Sequence, residues 1–285
     1  MSYDMIVLGS GPGGYVAAIR AAQLGMKTAI IERESLGGIC LNWGCIPTKA
    51  LLKSAQVFEY LNHASDYGIV VGSAKHDFKA VVSRSRGVAD KMSKGITYLM
   101  KKNKIDVHMG TGKLLAPGKI ELTDDKGAKS TLEAKNIIVS TGARSRSLDH
   151  IQQDGKKIIG YREAMTLPSL PKKMVIMGSG AIGSEFAYFY QTMGTEVTLI
   201  EYLPNIVPVE DEEVSKQLGR SFKKMGMNVM VGSSVEKVDT SGKGCKVTVT
   251  TKKGEEVIEC DVVLSAVGIV ANLENIGLED LGVAT

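Results

Sequence analysis

The apolar positions of this chain form short runs that alternate with amphipathic stretches, a pattern typical of an α/β fold. Apolar residues at helical spacing predict helices over Thr48–Leu61 and Phe78–Lys102. From Val107 to Ser140, short apolar runs are separated by turn signals, which predicts a small antiparallel meander. The second half repeats this organisation, with a predicted helix over Asp211–Met225 and strands near Asn228–Val231, Cys245–Thr250 and Val262–Gly268.

An internal repeat is the strongest signal in the pattern. Tyr3–Glu32 and Lys172–Glu201 each contain an apolar run, the motif G-x-G-x-x-G, a helical stretch and a second apolar run that ends in glutamate. The distance from the first glycine to that glutamate is 23 positions in both copies. Two complete copies predict two Rossmann-like dinucleotide-binding domains, each a parallel sheet with helices and a small antiparallel meander.

The residue types of the two motifs match the demands of nucleotide binding. The first glycine of such a motif permits a tight turn, the second lets the backbone approach a pyrophosphate, and the third lets the helix pack on the strand. In this chain these glycines are Gly9, Gly11 and Gly14 in the first copy and Gly178, Gly180 and Gly183 in the second. Glu32 and Glu201 can accept hydrogen bonds from an adenosine ribose, and a carboxylate there repels a 2′-phosphate, so the second site should prefer NAD to NADP. The alternative for each is a solvated acid at a strand end.

Composition and charge narrow the class of protein. A chain of 285 residues with 44% hydrophobic and 23% charged residues is typical of a globular protein with two α/β domains. The net charge of +4 comes without a basic arm with interleaved aromatics, so no nucleic-acid partner is expected. No stretch reaches 18 apolar residues and the chain enters a strand pattern at Tyr3, so we expect a cytoplasmic protein without a membrane span.

Two of the four cysteines, Cys40 and Cys45, lie five positions apart directly after the first repeat. In a regular helix that separation corresponds to a rise of about 7.5 Å, so a disulfide there needs a distorted turn, for which Gly44 supplies freedom before Pro47 opens the next helix. From these residues alone, Cys40 and Cys45 can be interpreted as a redox pair, as two structural thiols or as half of a zinc site. Cys245 and Cys260 are singly placed, and we predict no metal site.

Four segments together resemble the flavin-dependent pyridine nucleotide-disulfide reductases and, within them, the dihydrolipoamide dehydrogenases. They are GGICLNWGCIPTKALL at 37–52, the two glycine motifs, STGA at 140–143 and SAVGIVANLENIGLEDLG at 265–282. Leu41 and the run from Ile46 to Leu52 favour that branch over glutathione reductases. Mercuric or another disulfide reductase of the same family is the nearest alternative, and a non-catalytic nucleotide-binding module is another.

The resemblance implies cofactors and roles for individual residues. FAD would contact Gly9, Gly11, Gly14, Glu32, Lys49, Gly112, Thr141, Gly142 and Ala143. NAD would contact Gly178, Gly180, Gly183, Glu185, Glu201, Val235 and Gly268. Cys40 would be the thiol that exchanges with the lipoyl disulfide and Cys45 the thiol that faces the flavin. Lys49 and Glu185 would form a catalytically important ion pair near the flavin.

The resemblance also implies an organisation and partners. We expect an FAD-binding domain over 1–148, an NAD-binding domain over 149–270, and the start of a return to the FAD domain over 271–285. Family members usually continue through a dimerisation domain with a His-Glu pair, so we expect a truncated chain that is poorly active by itself. The full-length parent would be a homodimer that acts on the lipoyl domain of a 2-oxo acid dehydrogenase or glycine cleavage complex. The usual Gly-Arg-x-Pro-Asn segment is Gly-Ile-Val-Ala-Asn at 268–272.

Overall fold

The computed structural model describes residues 2–285 as a mixed α/β structure with two compact units. The first unit comprises Met1–Ile46, Arg86–Arg144 and Val270–Thr285, and the second comprises Pro47–Ser85 and Ser145–Ile269. Within the described residues, none of the helices is long and apolar enough to cross a membrane.

The first unit contains a six-stranded sheet of order β3-β2-β1-β6-β5-β4. Its strands are β1 (Ser2–Leu8), β2 (Thr28–Glu32), β3 (Asp106–Met109), β4 (Thr111–Ala116), β5 (Lys119–Thr123) and β6 (Lys129–Val139). The helices are α1 (Pro12–Gln23) and α2 (Gly38–Asn42), and two longer helices, α3 (Cys45–Asn62) and α4 (Phe78–Lys102), each run from one unit into the other. Strands β1, β2, β3 and β6 are parallel, and β4, β5 and β6 form an antiparallel meander. The predicted meander starts at Thr111 and not at Val107, because Val107 lies in β3, which pairs in parallel with β2.

Side-chain alternation along β1 and β2 builds a core on both faces of this sheet. Ile6, Leu8 and Ile31 pack on one face against the apolar side chains of the meander. Val7 and Ile30 point to the other face, where they meet α1, α2 and α4. Because successive side chains of a strand point to opposite faces, a continuous apolar run is what a sheet covered on both sides requires.

The second unit repeats this plan with a five-stranded parallel sheet of order β11-β10-β9-β15-β8. The remaining strands of the chain are β7 (Ala143–Ser145), β8 (Ile158–Ile159), β9 (Lys173–Met177), β10 (Glu196–Glu201), β11 (Asn228–Val231), β12 (Ser234–Asp239), β13 (Cys245–Thr251), β14 (Gly254–Cys260), β15 (Val262–Ser265) and β16 (Ile269–Ala271). The helices are α5 (Tyr161–Ala164), α6 (Ala181–Thr192) and α7 (Glu212–Lys224). Short 3-10 turns lie at Ala64–Tyr67 and Glu279–Leu281, and β7 pairs with β16 in a two-stranded sheet.

The antiparallel sheet β12-β13-β14 packs on one face of the parallel sheet in the second unit. Cys245 and Cys260 lie directly opposite each other on β13 and β14, and both side chains are buried in this apolar cluster as free thiols. Burial raises the pKa of both thiols, and that of Cys260 reaches about 12. Since the thiolate is the reactive form, these two cysteines are structural side chains of the core.

Candidate functional site

The two glycine-rich turns have the same local structure. Gly9 and Gly178 adopt left-handed conformations, with φ of 99° and 91°. A Cβ on Gly14 would overlap the carbonyl oxygen of Gly9, and a Cβ on Gly183 would overlap that of Gly178. These contacts explain why the turns need glycine at the first and third positions.

The middle glycines of the two motifs differ from the others, because they face open space. Gly11 and Gly180 have ordinary negative φ angles and are the N-caps of α1 and α6. An added Cβ would meet nothing within 4 Å at either position. The folded chain alone therefore does not require glycine there. A close backbone approach by a pyrophosphate does, so both turns fit a dinucleotide.

A buried glutamate lies beside each turn, at the end of β2 and of β10. Glu32 and Glu201 are each only 7% exposed, which excludes a solvated acid at a strand end. The Glu32 carboxylate accepts from the Ser10 amide at 3.0 Å and from the Glu34 amide at 2.8 Å. In the second unit Glu201 accepts from the Ser179 amide at 2.8 Å and from the Leu203 amide at 2.9 Å. The backbone thus fixes both carboxylates in the same orientation.

Cys40 and Cys45 form a disulfide at the break between α2 and α3. Their Cα atoms are 4.7 Å apart, within the usual range for a disulfide, because α2 ends at Asn42 and α3 begins at Cys45. Gly44 permits this break through close packing, since an added Cβ would lie 3.2 Å from the Cys40 Cα. The distorted turn that the spacing predicts is confirmed, and Pro47 lies in the first turn of α3.

Arg86 of α4 holds the loop between the two cysteines. Its guanidinium lies over the Trp43 ring at 4.2 Å from the ring centroid and donates to the Asn42 carbonyl at 2.6 Å. That carbonyl is at the C-terminal end of α2, where helix carbonyls have no partner within the helix. The Trp43 indole in turn donates to the Glu34 carboxylate at 3.1 Å. The disulfide loop is therefore tied to α4 and to the turn that follows Glu32.

Replacement of Arg86 by methionine is expected to lower the free energy of unfolding by about 1–2 kcal/mol, because a cation–π contact and a charged hydrogen bond are both lost. Urea denaturation under oxidising conditions measures the change. Arg86→Lys should lose most of the same free energy, since an ammonium group cannot reproduce the planar stack. Lys91→Met, at an exposed position of the same helix, is the matched control and should change stability by less than about 0.5 kcal/mol. Equal effects of Arg86→Met and Lys91→Met would contradict the role of Arg86.

Lys49 and Glu185 form an ion pair between α3 and α6 within the second unit. Both partners keep contact with solvent, the Lys49 side chain at 64% exposure and Glu185 at 31%. Exposed ion pairs contribute little to the free energy of folding, so stability alone does not account for the pairing of Lys49 with Glu185. The structure thus brings together the two charges that the sequence pairs by resemblance, while their role at a cofactor stays a prediction.

The other predicted cofactor contacts fall into two groups. Thr141, Gly142 and Gly268 lie at exposed or half-buried turns. The Thr141 hydroxyl donates to the Asn272 carbonyl at 2.7 Å, and the Gly268 carbonyl accepts from the Arg146 amide. Ala143, at the start of β7, is half-buried.

Gly112 and Val235, in contrast, are buried in cores. A Cβ on Gly112 would lie 2.6 Å from the Leu8 side chain, and Val235 packs in the core beneath β12. Core packing already explains these two residue types, so their cofactor contacts stay predictions.

Sequence reasoning missed Ser10, Ser179, Trp43 and Arg86. A signal for the two serines was present, because both motifs have the same second residue in Gly-Ser-Gly. No sequence signal links Arg86 to Trp43. Among residues 2–285 no group of three or more His, Cys, Asp or Glu side chains could hold a metal ion.

Comparison with known proteins agrees with this geometry. The chain is 50% identical to a dihydrolipoyl dehydrogenase from Rhizobium etli, over an alignment that covers 100% of this chain and 62% of that protein. It is 45% identical to one from Zymomonas mobilis, with 99% and 60% covered. Among solved structures, LpdA from Mycobacterium tuberculosis matches with a TM-score of 0.89 at 29% identity, covering 98% of this chain and 62% of that one.

The chain therefore spans less than two thirds of the length of these relatives. A family model for the pyridine nucleotide-disulphide oxidoreductases matches residues 3–285. This match covers nearly the whole chain, and it accounts for the α/β fold of two Rossmann-like halves and for the disulfide in the same unit as the first glycine turn: the chain belongs to the pyridine nucleotide-disulphide oxidoreductase family.

Proposed function

We propose that this chain carries the nucleotide-binding part of a dihydrolipoyl dehydrogenase, which oxidises protein-bound dihydrolipoamide with NAD⁺ through FAD and the Cys40–Cys45 pair. The observation that carries the proposal is the disulfide at the α2–α3 break, in the same unit as the first glycine turn. Members of the family use FAD and NAD, and the curated relatives with 45–50% identity are dihydrolipoyl dehydrogenases.

The first glycine turn would hold FAD and the second NAD. The support is the open space in front of Gly11 and Gly180, together with the fixed carboxylates of Glu32 and Glu201. Accordingly, 1–148 would be the FAD-binding domain, 149–270 the NAD-binding domain, and 271–285 a return to the first. Residues 47–85 are grouped with the second unit, within which Lys49 forms its ion pair with Glu185.

The cysteine pair would exchange thiols with the substrate. A substrate thiolate attacks the Cys40 sulfur, the Cys40–Cys45 bond breaks, and Cys45 leaves as a thiolate. The second substrate thiol, once deprotonated, attacks the substrate sulfur that is bonded to Cys40. The substrate disulfide forms, the bond to Cys40 breaks, and Cys40 leaves as a thiolate that takes up a proton. The substrate is oxidised by two electrons and the cysteine pair is reduced by two. When bound, FAD supplies the electron-transfer chemistry between this pair and NAD⁺.

The partners follow from the same proposal. The substrate would be a lipoyl domain of a 2-oxo acid dehydrogenase or glycine cleavage complex, and the full-length parent would be a cytoplasmic homodimer. Arg86 and Trp43 would keep the disulfide loop in place while the bond between the cysteines opens and closes.

Alkylation followed by mass mapping tests the redox pair. In oxidised protein, Cys40 and Cys45 should be linked to each other and resist alkylation. Dihydrolipoamide should make both alkylatable, while Cys245 and Cys260 should stay unmodified until the chain is unfolded. Cys45→Ser should abolish the linkage, and Cys260→Ser is the matched control that should keep it. Free Cys40 and Cys45 under oxidising conditions, or a bond from either to Cys245 or Cys260, would contradict the proposal.

A further inference from the structure

Both glycine turns contain a serine whose hydroxyl binds the neighbouring glutamate. Ser10 and Ser179 are completely buried. The Ser10 hydroxyl donates to Glu32 Oε2 at 2.5 Å, and the Ser179 hydroxyl donates to Glu201 Oε2 at 2.7 Å. In both copies of the motif the serine and the glutamate are 22 positions apart and make the same contact, which indicates that the contact has the same role in each.

Each of these hydroxyls also accepts a backbone hydrogen bond from a later segment. The amide of Gly37 is shared between the Ser10 carbonyl oxygen at 3.1 Å and Ser10 Oγ at 3.2 Å. The amide of Val207 is shared in the same way between the Ser179 carbonyl oxygen at 3.1 Å and Ser179 Oγ at 3.2 Å. Gly37 has a φ of 97°, which glycine adopts without cost, whereas Val207 has a φ of 40°. A β-branched residue in the left-handed region is strained, and such strain persists only where the surrounding structure holds it. The amide of Val207, which the Ser179 carbonyl oxygen shares, thus lies on the acceptor side of the Ser179 hydroxyl, and the hydroxyl proton is donated to Glu201.

The hydrogen bonds of Glu201 show what the serine contributes. Oε2 takes both the amide and the hydroxyl of Ser179, while Oε1 takes the amide of Leu203. A carboxylate has about four acceptor positions, so one position on Oε1 stays available for a ligand. Without the hydroxyl, Oε2 keeps a single donor and the carboxylate is held less firmly.

We propose that Ser179 is a specificity-determining positioning residue, which orients Glu201 to accept a hydrogen bond from the adenosine ribose of NAD and to repel the 2′-phosphate of NADP. This inference rests on the proposed NAD site at the second glycine turn. Ser179 acts through Glu201 and not on the nucleotide directly. Loss of its hydroxyl should therefore weaken NADH binding and narrow the preference for NADH over NADPH together.

Calorimetric titration of the 285-residue chain with NADH and NADPH tests the inference. Ser179→Ala should weaken NADH binding about 5- to 10-fold, the size of effect that the loss of one ordinary hydrogen bond has, because the lost bond holds Glu201 and not the nucleotide itself. NADPH binding should stay nearly unchanged. Thr195→Val is the matched control, because it removes another buried hydroxyl of the second unit, one that donates to the Pro171 carbonyl at 2.8 Å. This variant should lose stability without a change in either affinity. Equal loss of affinity in both variants would overturn the inference.

A double-mutant cycle separates positioning from a general structural effect. In a Glu201→Ala background, Ser179→Ala should cause no further loss of NADH affinity, whereas independent effects would add. An additive result would overturn the inference. If Ser179→Ala does not fold, Ser179→Cys keeps the volume and a weak donor, and should weaken NADH binding by a smaller factor; unchanged selectivity in that variant would count against the inference. Absence of NADH binding by the unmodified chain would instead contradict the proposed NAD site itself.

Discussion

Gly183→Ala is expected to destabilise the second unit by about 3 kcal/mol or more, because its Cβ would overlap the Gly178 carbonyl oxygen. The atom that would be overlapped belongs to the backbone, which cannot change rotamer as a flexible side chain can. To remove the overlap, α6 would have to move away from β9, and the packing between this helix and its sheet would be lost. Urea denaturation followed by circular dichroism measures the change, and NADH binding should disappear with it.

Gly180→Ala is the matched comparison, three positions earlier in the same turn. Its Cβ would meet nothing within 4 Å and its φ of −62° suits any residue, so stability should change by less than about 0.5 kcal/mol. NADH binding should nevertheless weaken at least about 10-fold, because the methyl group occupies the space needed for the pyrophosphate. If Gly180→Ala destabilised the chain as much as Gly183→Ala, or left NADH affinity intact, the nucleotide interpretation of this turn would be wrong.

The second large effect concerns nucleotide selectivity. We expect the chain to bind NADH more tightly than NADPH by about 30- to 1000-fold, since a 2′-phosphate would meet the buried Glu201 carboxylate and lose the ribose hydrogen bond, a difference of about 2–4 kcal/mol. Calorimetry with both nucleotides gives the ratio. Glu201→Ala should narrow it by removing the charge.

A control for this prediction is available in the first copy of the motif. Glu32→Ala removes the equivalent buried carboxylate from the first unit and should leave the NADH to NADPH ratio of the second turn unchanged. Equal affinity of the unmodified chain for the two nucleotides would show that Glu201 does not select the cofactor. A changed ratio in Glu32→Ala would show that the effect is not specific to the second turn.

Much of the fold could be predicted from local sequence. The glycine turns are local in the chain, because the contact that excludes a side chain at Gly14 comes from Gly9, only five positions away. The helices over Thr48–Leu61 and Phe78–Lys102 and the antiparallel meander followed from the period of apolar residues, which depends only on near neighbours. The break between α2 and α3 at Gly44 could also be predicted, because a disulfide between cysteines five positions apart cannot form within a regular helix.

Other features depended on how the helices and strands pack and pair. Arg86 meets Trp43 because α4 returns to the α2–α3 break, and the helical period of α4 carries no information about the partner of one of its arginines. Cys245 and Cys260 face each other because of the register of β13 and β14, whereas in the sequence they are two isolated cysteines. Packing also grouped residues 47–85 with the second unit, although they follow the first motif directly.

The sequence by itself determined the two nucleotide-binding turns, the glutamates that end their second strands and the cysteine spacing that requires a distorted turn, since all three are set by residue types and their spacing along the chain. Only the tertiary structure decided how those groups are held. The Ser179 hydroxyl donates to Glu201 because β9 and β10 are adjacent parallel strands, and it accepts from Val207 because the chain returns to the turn after β10. Sequence patterns record which residue types are present, but the direction of a buried hydroxyl depends on every group packed around it.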